Sequence, residues 1–537
     1  MSKNIKTILQ LYYIFIKLLK NNMKYYIVIL YGKYQNESEE KQMKKFLTIT
    51  FIALLVLIGM AINVHAVEVA TWDDLTDELA NGTDTEVTLS GEVSITDTKT
   101  LNLNGKTLNS TKTITVNGGK LTITGNGKVV TTEADPLIHV LNGGTLTLEN
   151  GTYESTTYYG AAIQVTGAAT DTEVKTKVNI AKGVSVTANY PVFIPKQGGF
   201  GVVVDVYGKL HSITTTQGTT TKYGAGLYIN GQLNSTTGNV PVINVYEGAS
   251  VTAQDSTAVY AAGFGIWNIS GGYFEGTEAL SIKGGEFYIT GGTFKANGKY
   301  VEDPTANNNG SEDTGSAISI TGNDGYAGNI VLEISNATVT SENGYAVYET
   351  ITNAVQPAVV EGGVKIFSGN FEGKVGDVKA DNITEFIEGG TFSEELDKKY
   401  LDTTVEAEKT EDGTVLVGTK YLIEIKDVTN GTVKSSLEKA LKGQTVTLTA
   451  TPDEGYQLKS LKINGVEITG TTFTMPDKDV EVTSEFEKIP VKAEENKEEK
   501  DETPKMGAMN ASYVWMTLLA ISLVGILTTK KVAKHSK

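Results

Sequence analysis

The stretch ISGGYFEGTEALSIKGGEFYITGGTFKANG, residues 269–298, contains the motif that decides the fold. Its Gly-Gly pairs at 271–272 and 291–292 each precede an aromatic residue and a short run of alternating apolar and polar residues. Similar pairs stand at 118–119, 143–144, 362–363 and 389–390, and consecutive pairs in the same region are 20 to 27 residues apart. A unit of this length holds two or three short β-strands and cannot bury its apolar face alone. The sequence therefore predicts stacked coils of one β-solenoid.

The alternating pattern reaches back toward the N-terminus. From about Glu86, apolar residues recur at every second position, which is typical of half-buried strands. They are Val87, Leu89, Val93, Ile95, Leu101, Leu103, Leu108, Ile114, Val116, Leu121 and Ile123. Before them, residues 67–84 predict one short amphipathic helix that begins at Thr71 and has Leu75 and Leu79 on one face. We expect this helix to cover the open edge of the first coil.

Residues 85–400 resemble the right-handed parallel β-helix of the pectin-lyase-like superfamily, in the non-enzymatic form common on bacterial surface proteins. A second recurring motif supports this resemblance. It begins at Gly160, Gly224, Gly263 and Gly315, and in each case two apolar residues at alternating positions follow within a few residues. The resemblance implies an architecture more than an activity. The alternative is a string of β-sandwich modules, but no Pro-rich or Ser-rich linker interrupts residues 85–290.

Residues 420–487 have a different pattern, with strict alternation at Val446, Leu448 and Ala450 and a turn at 452–455. They predict a compact β module of about 70 residues. The module resembles the divergent internalin B-repeat family through an ordered series of motifs. These are Gly431-Thr-Val433, Lys442-Gly443, Pro452, Gly455-Tyr456, Asn464-Gly465, Phe473-Thr-Met475-Pro476, Asp479-Val480 and Phe486. The family implies a surface stalk or interaction module, and residues 401–419 are expected to be the connector.

The N-terminal end predicts secretion. Residues 43–66 contain two lysines, an apolar run over 46–62 and small residues at Val64 and Ala66, which is typical of a signal peptide cut between Ala66 and Val67. The alternative is an uncleaved membrane anchor. Residues 1–42 lie upstream of this signal and are expected to be a leader outside the mature protein, or otherwise a membrane-associated segment.

The C-terminal end predicts an anchor. A charged spacer over 488–510 precedes an apolar segment over 511–528 and a lysine-rich tail over 529–537. This order resembles the sortase sorting signals of Gram-positive surface proteins, in which a Leu-Pro-x-Thr-Gly motif is cut and joined to peptidoglycan. The corresponding residues are Thr503, Pro504, Lys505, Met506 and Gly507, so the first and fourth positions depart from the motif. A variant sortase substrate and a plain transmembrane helix are both open, and both place residues 67–490 outside the cell.

Composition excludes several functions. Lys and Arg number 46 against 63 Asp and Glu, a net charge of −17, which argues against a broad electrostatic grip on nucleic acid or anionic lipid. The chain contains no Arg, so it lacks the bidentate guanidinium fork. It also contains no Cys, which removes disulfides, thiolate metal sites and cysteine nucleophiles.

The sequence offers little to a catalytic site. A chain cut at Ala66 keeps only His139, His211 and His535, and none has a nearby acidic pattern that would orient it as a base or zinc ligand. The resemblance implies that a β-helix enzyme would use paired carboxylates, calcium-binding acids or a basic residue for catalysis. We find no clustered Asp pair for hydrolysis. The expectation is therefore no catalytic residue, no metal and no cofactor.

Two features could bind a ligand. The chain has 25 tyrosines, and exposed aromatic rings can stack on sugar faces. The candidates are Tyr158, Tyr159, Tyr223, Trp267 and Tyr273, although such rings also suit half-buried strands. The second feature is the polar stretch 296–316, where Asp303, Glu312 and Asp313 could hold calcium weakly, or which could be a solvated loop.

These observations predict an all-β, secreted and surface-anchored protein: a right-handed parallel β-helix, then a small β module, with a signal peptide and a C-terminal transmembrane helix. The expected role is non-enzymatic adhesion to a glycan or protein of a host or neighbouring cell. The expected anchor is peptidoglycan, through sortase, or the membrane. A polysaccharide-processing enzyme and a passive cell-wall stalk remain the alternatives.

Overall fold

The computed structural model describes residues 66–196, 198–230, 237–299, 314–321, 330–350, 359–377 and 383–490. The expected leader, residues 43–65 of the expected signal peptide, the sorting-like motif, the transmembrane segment and the basic tail lie outside these residues. Within the described part of the chain, no helix has the length and apolar character needed to cross a membrane.

The described chain is almost entirely β-structure. One α-helix, α1, spans Trp72–Asn81, and a 3₁₀ turn spans Lys398–Tyr400. The first strands are β1 (Val67–Val69), β2 (Glu86–Leu89), β3 (Val93–Ile95), β4 (Thr98–Asn102), β5 (Thr107–Ser110), β6 (Ile114–Asn117), β7 (Lys120–Thr124), β8 (Lys128–Thr131), β9 (Ile138–Leu141), β10 (Thr145–Ser155), β11 (Ala161–Thr166), β12 (Thr176–Ala188), β13 (Tyr190–Ile194), β14 (Val202–Val206) and β15 (Lys209–Ser212).

The middle strands are β16 (Thr215–Gln217), β17 (Thr220–Lys222), β18 (Leu227–Ile229), β19 (Val242–Val245), β20 (Ser250–Ala253), β21 (Val259–Ala261), β22 (Ile266–Ile269), β23 (Tyr273–Gly276), β24 (Leu280–Ile282), β25 (Gly285–Ile289), β26 (Thr293–Ala296), β27 (Ile318–Thr321), β28 (Ile330–Ile334), β29 (Ala337–Thr350), β30 (Val359–Ile366), β31 (Gly369–Asp377) and β32 (Gly390–Phe392). The last strands are β33 (Glu406–Lys409), β34 (Val415–Gly418), β35 (Lys420–Ile425), β36 (Gly431–Ser435), β37 (Lys439–Leu441), β38 (Thr445–Pro452), β39 (Tyr456–Ile463), β40 (Val466–Glu467), β41 (Thr472–Thr474) and β42 (Val480–Lys488).

Strands β1 to β32, apart from β16 and β17, pair in parallel, and each pairs mainly with strands one coil earlier and one coil later. The result is three ladders that share one core, an arrangement consistent with a β-helix. This confirms the predicted all-β fold with a large parallel sheet. The right-handed sense and the likeness to pectin lyases stay predictions.

Register explains why the alternating pattern repeats. Along one ladder, apolar or aromatic side chains at successive coils stand directly over each other and are buried. This column runs through Val87, Leu108, Val129, Tyr153, Val186, Leu210, Val251, Phe274, Phe294, Val339, Phe371 and Phe392. The rings of Phe274 and Phe294 stack 4.6 Å apart between centroids. Each coil therefore buries its apolar face only against its neighbours.

The Gly-Gly pairs lie where one coil approaches the next. Gly143 has a φ of +80°, and a Cβ on Gly144 would lie 2.4 Å from the carbonyl oxygen of Val116 in the preceding coil. Gly292 combines both features, since its φ is +107° and a Cβ there would lie 3.1 Å from the carbonyl oxygen of Gly272. The Gly-Gly pairs thus permit both a left-handed backbone conformation and a close approach between the backbones of successive coils.

Both ends of the solenoid are covered. Helix α1 is capped by Thr71, whose hydroxyl accepts from the Asp74 amide, and it buries Leu75 and Leu79 against the core. The expected helical segment 67–84 also contains a strand, because β1 pairs with β2. At the other end, residues 401–419 are not the simple connector expected. Strands β33 and β34 form an antiparallel hairpin there, and β34 also pairs with β32.

The module that follows has its own core. Strands β35, β37, β39, β40 and β42 form one sheet, β36, β38 and β41 form another, and the space between them is filled by residues such as Val446, Leu448, Leu461 and Met475. Lys420 of β35 bonds Glu406 at 2.8 Å and also Glu408, both in the capping hairpin. Only Thr419 separates β34 from β35, so the module starts directly at the end of the solenoid.

Candidate ligand-binding surface

A short hairpin interrupts the regular ladders. Lys209 and Ser250 are neighbours in one ladder, and the chain between them includes the antiparallel pair β16 and β17. These two strands form a separate sheet outside the parallel ladders. Residues 216–221 of this hairpin are exposed and include four threonines. We name residues 215–222 the threonine hairpin.

Buried polar groups fasten the base of the threonine hairpin to the preceding coil. The Asn189 side-chain amide donates to the Ile213 carbonyl oxygen at 3.0 Å, and the Ser212 hydroxyl donates to the Asn189 carbonyl oxygen at 2.7 Å. Asn189 and Ser212 are both buried. Two residues after the return strand, Gly224 lies so close that a Cβ there would stand 1.7 Å from the Asn189 carbonyl oxygen. The hairpin is therefore held at both of its ends.

Aromatic rings surround this base. The Tyr159 amide donates to the Thr215 hydroxyl at 3.2 Å, and its ring meets Tyr190 edge to face with centroids 5.2 Å apart. Tyr190 stacks on Tyr228 at 4.9 Å. Phe193 also stacks on Tyr228, which lies 5.1 Å from Tyr260. We name these five residues the aromatic cluster. Burial raises the pKa of Tyr190 above its usual range, so this phenol stays uncharged.

Stacking decides which rings can meet a ligand. Tyr190, Phe193 and Tyr228 use ring faces on one another, so they support the surface more than they offer faces to a sugar. Tyr159 is 48% exposed, and Tyr223, directly after the hairpin, is 57% exposed. Beside the threonine hairpin, Tyr159 and Tyr223 are therefore rings that a ligand can reach.

The five sequence-predicted aromatic residues do not form one surface. Tyr158 is half-buried next to Tyr159. Tyr273 is 36% exposed but lies in β23, on another ladder, and its hydroxyl donates to Glu275 at 2.7 Å. Trp267 is fully buried and stacks on Phe287 in the core, which corrects its placement among surface residues.

The threonine hairpin was not predicted. Its signal is the sequence TTTQGTTT at 214–221, two β-branched runs separated by Gln217 and Gly218, with the turn at Gly218 and Thr219. The polar stretch 296–316, expected to be a weak calcium site or a solvated loop, lies mostly outside the described residues, together with Asp303, Glu312 and Asp313.

The two described histidines make local contacts with threonine. His139 Nε2 lies 2.9 Å from the Thr166 hydroxyl, and burial lowers the pKa of its imidazole. His211 Nδ1 lies 2.8 Å from the Thr252 hydroxyl. Among the residues that the structure describes, no group of three or more His, Asp and Glu side chains is placed to hold a metal ion.

A cleft of about 620 Å³ at the C-terminal end of the solenoid contains several carboxylates, including Glu395 and Asp402. A hydrogen bond from Lys409 lowers the pKa of Glu395, and hydrogen bonds from the Thr404 hydroxyl and amide lower that of Asp402. Glycoside hydrolysis requires one carboxyl group with a raised pKa to act as the acid. These two carboxylates are shifted in the opposite direction.

The comparisons with known proteins identify one domain. No curated protein and no solved structure matched the chain. Residues 421–490 match the family model of the divergent InlB B-repeat domain, which confirms the module predicted over 420–487. A domain of this family suggests a cell-surface protein with an adhesin-like role.

Proposed function

We propose that this protein is a non-enzymatic adhesin, which binds a glycan or protein of a host or neighbouring cell through the threonine hairpin, Tyr159 and Tyr223. The observation that carries the proposal is the exposed hairpin, held at its base by buried hydrogen bonds, with the two most exposed tyrosine rings of the described solenoid beside it. Hydroxyl groups and ring faces together supply the contacts that sugars and peptide surfaces use. The B-repeat-like module supports a position at the cell surface.

The test is a binding screen of residues 67–490 against host glycans and matrix proteins, followed by the paired change Tyr159→Ala and Tyr223→Ala. We expect this double variant to bind the ligand at least about tenfold more weakly, because exposed aromatic anchors contribute most of the energy at such surfaces. Tyr273→Ala is the matched control, since Tyr273 is also exposed but lies on another ladder. Equal loss in the control would contradict the assignment of the site. If no glycan or matrix protein binds, the passive cell-wall stalk is the function that stands.

The enzymatic alternative is tested separately. Residues 67–490 are expected to release no sugar from pectin, alginate or host glycans, because the cleft carboxylates Glu395 and Asp402 are held ionised by their hydrogen-bond partners. Sugar release by the wild-type protein that disappears in the Asp402→Asn variant would support the enzymatic alternative.

A further inference from the structure

A second surface lies on the ladder that contains β14, β19 and β22. The outward-facing side chains of these three strands form stripes that run from strand to strand. The first stripe is apolar, with Val203, Val242 and Ile266 in register. Two positions further along each strand, the second stripe consists of Asp205, Asn244 and Asn268.

A pair of tyrosines completes this surface. Tyr207 and Tyr246 follow β14 and β19 directly, and their rings stack at 4.1 Å with an angle of 1° between planes. Tyr207 is 37% exposed. Apolar, polar and aromatic side chains therefore stand side by side. We name the eight residues of the two stripes and this pair the striped platform.

The polar stripe is already held in place. The Asn268 side-chain amide donates to Asn244 Oδ1 at 2.9 Å, and the Asn244 amide donates to Asp205 Oδ1 at 2.8 Å. The Tyr246 hydroxyl donates to the same Asp205 oxygen at 3.3 Å. Each of the two bonds donated by asparagine uses one N–H of a side-chain amide that carries two. A ligand would thus meet oriented donors and acceptors without a large cost in side-chain entropy.

The backbone of this platform has no free edge. Strand β14 pairs with β12 and β19, β19 pairs with β14 and β22, and β22 pairs with β19 and β25. A peptide therefore cannot bind here by adding a strand, which is how extended peptides usually gain affinity from a sheet. Recognition must use side chains alone.

Two properties of the side chains indicate the ligand. The same chemistry repeats from strand to strand at a spacing of about 4.8 Å, which suits a ligand that itself repeats. Asp205 contributes a carboxylate at one end of the polar stripe, beside Asn244, in a chain with a net charge of −17, which disfavours uronic or sulfated sugars. Sugar rings present apolar C–H faces and hydroxyl edges, which match the neighbouring apolar and amide stripes.

We propose that the striped platform is a second binding site, distinct from the threonine hairpin, for an extended uncharged polysaccharide that lies across the strands. It does not depend on the proposed adhesin site. The three strands span two spacings, about 10 Å, so binding is expected to strengthen with oligosaccharide length until these strands are covered.

Calorimetry with the full chain tests this proposal. The probes are β-1,4-linked glucose, mannose and N-acetylglucosamine oligosaccharides of increasing length. We expect Asn268→Ala combined with Tyr207→Ala to weaken binding of the preferred neutral oligosaccharide at least about tenfold, because one hydrogen bond and one ring contact are lost. Tyr207→Phe keeps the ring and should keep most of the affinity. Melting temperatures confirm that the variants fold.

The controls separate this site from the hairpin. Tyr273→Ala should leave oligosaccharide affinity unchanged, because Tyr273 lies in β23 on another ladder, and high salt should have little effect because the ligand carries no charge. Unchanged affinity in the double variant, equal loss in Tyr273→Ala, or failure of every neutral oligosaccharide to bind would overturn the proposal. If adhesion is lost only in the variant that combines Tyr159→Ala with Tyr223→Ala, the proposal for the threonine hairpin stands and the proposal for the striped platform fails.

Discussion

Gly144 shows at the scale of one residue why glycine pairs separate the strands of this protein. Its backbone is buried, and a Cβ would stand 2.4 Å from the Val116 carbonyl oxygen. Neither backbone segment can move without disturbing a ladder. We therefore expect Gly144→Ala to lower the free energy of unfolding by about 1–3 kcal/mol, the usual cost of forcing an extra methyl group into a packed site.

Chemical denaturation of residues 67–490 measures this effect. Gly418→Ala is the matched control, because no heavy atom lies within 4 Å of a Cβ at Gly418 and its φ is not in the left-handed region. The control should be close to neutral. Equal stabilities for the two variants would show that the coils are not in close backbone contact.

The aromatic residues show what the sequence could reveal residue by residue. Trp267 alternates with Ile269 on the inward face of β22, so period-2 parity alone places it in the core. Parity gives no such guidance for Tyr158 and Tyr159, because they lie in a turn. The contacts that position Tyr159 come from Thr215 and Tyr190, which are distant in sequence. The sequence could therefore predict that aromatic residues form the candidate site, but not where on the solenoid that site lies.

At the scale of elements, the junction between hairpin and module depends on a few polar bonds. Burial would raise the pKa of Glu408, but hydrogen bonds from Lys420 and Gln444 outweigh it and lower that pKa. A carboxyl group whose pKa is lowered on folding stabilises the protein above the unfolded pKa of about 4.5, and this contribution is lost as pH falls through the folded pKa. The junction should therefore weaken in acid.

Glu408→Gln tests the junction near neutral pH. We expect a loss of at most about 1 kcal/mol, since the ion pair is partly exposed, and faster tryptic cleavage after Lys420 once Glu406 is its sole remaining carboxylate partner in the hairpin. Glu485→Gln, which removes an exposed partner of Lys459 inside the module, should leave cleavage after Lys420 unchanged. If both variants are cleaved there at the wild-type rate, Glu408 does not hold the junction.

The elements also differ in how visible they were beforehand. Helix α1 and the B-repeat-like module have strong local signals, the cap pair at Thr71 and Asp74 and the ordered motifs over 431–486. The capping hairpin was missed because only Val415 and Val417 of β34 are buried, whereas β33 is rich in Glu and Lys. A hairpin that covers the last coil at a sheet edge needs few apolar residues. Its charged side chains therefore hide the alternating apolar pattern that would predict strands.

At the scale of the whole molecule, the parallel ladder predicts a rod. The ladder that begins at β1 and ends at β32 contains thirteen strands, which at about 4.8 Å each span about 58 Å. Small-angle scattering from residues 67–418 should therefore report one elongated particle. A compact globule, or beads joined by flexible links, would be incompatible with the ladder.

The mode of anchoring is the last prediction, and it depends on Met506. A sortase that recognises the small β-hydroxyl side chain of Thr should process the longer Met poorly, whereas membrane retention needs only the apolar segment 511–528 and the lysines behind it. We nevertheless expect the sortase product, because Pro504 and Gly507 before a short apolar span have no role in a plain anchor. The mature chain should then end at Met506 and be freed only by wall-degrading enzymes. Mass spectrometry of surface-exposed protein decides between the routes: an intact peptide across Met506 and Gly507, with release by detergent, would leave the membrane helix as the anchor.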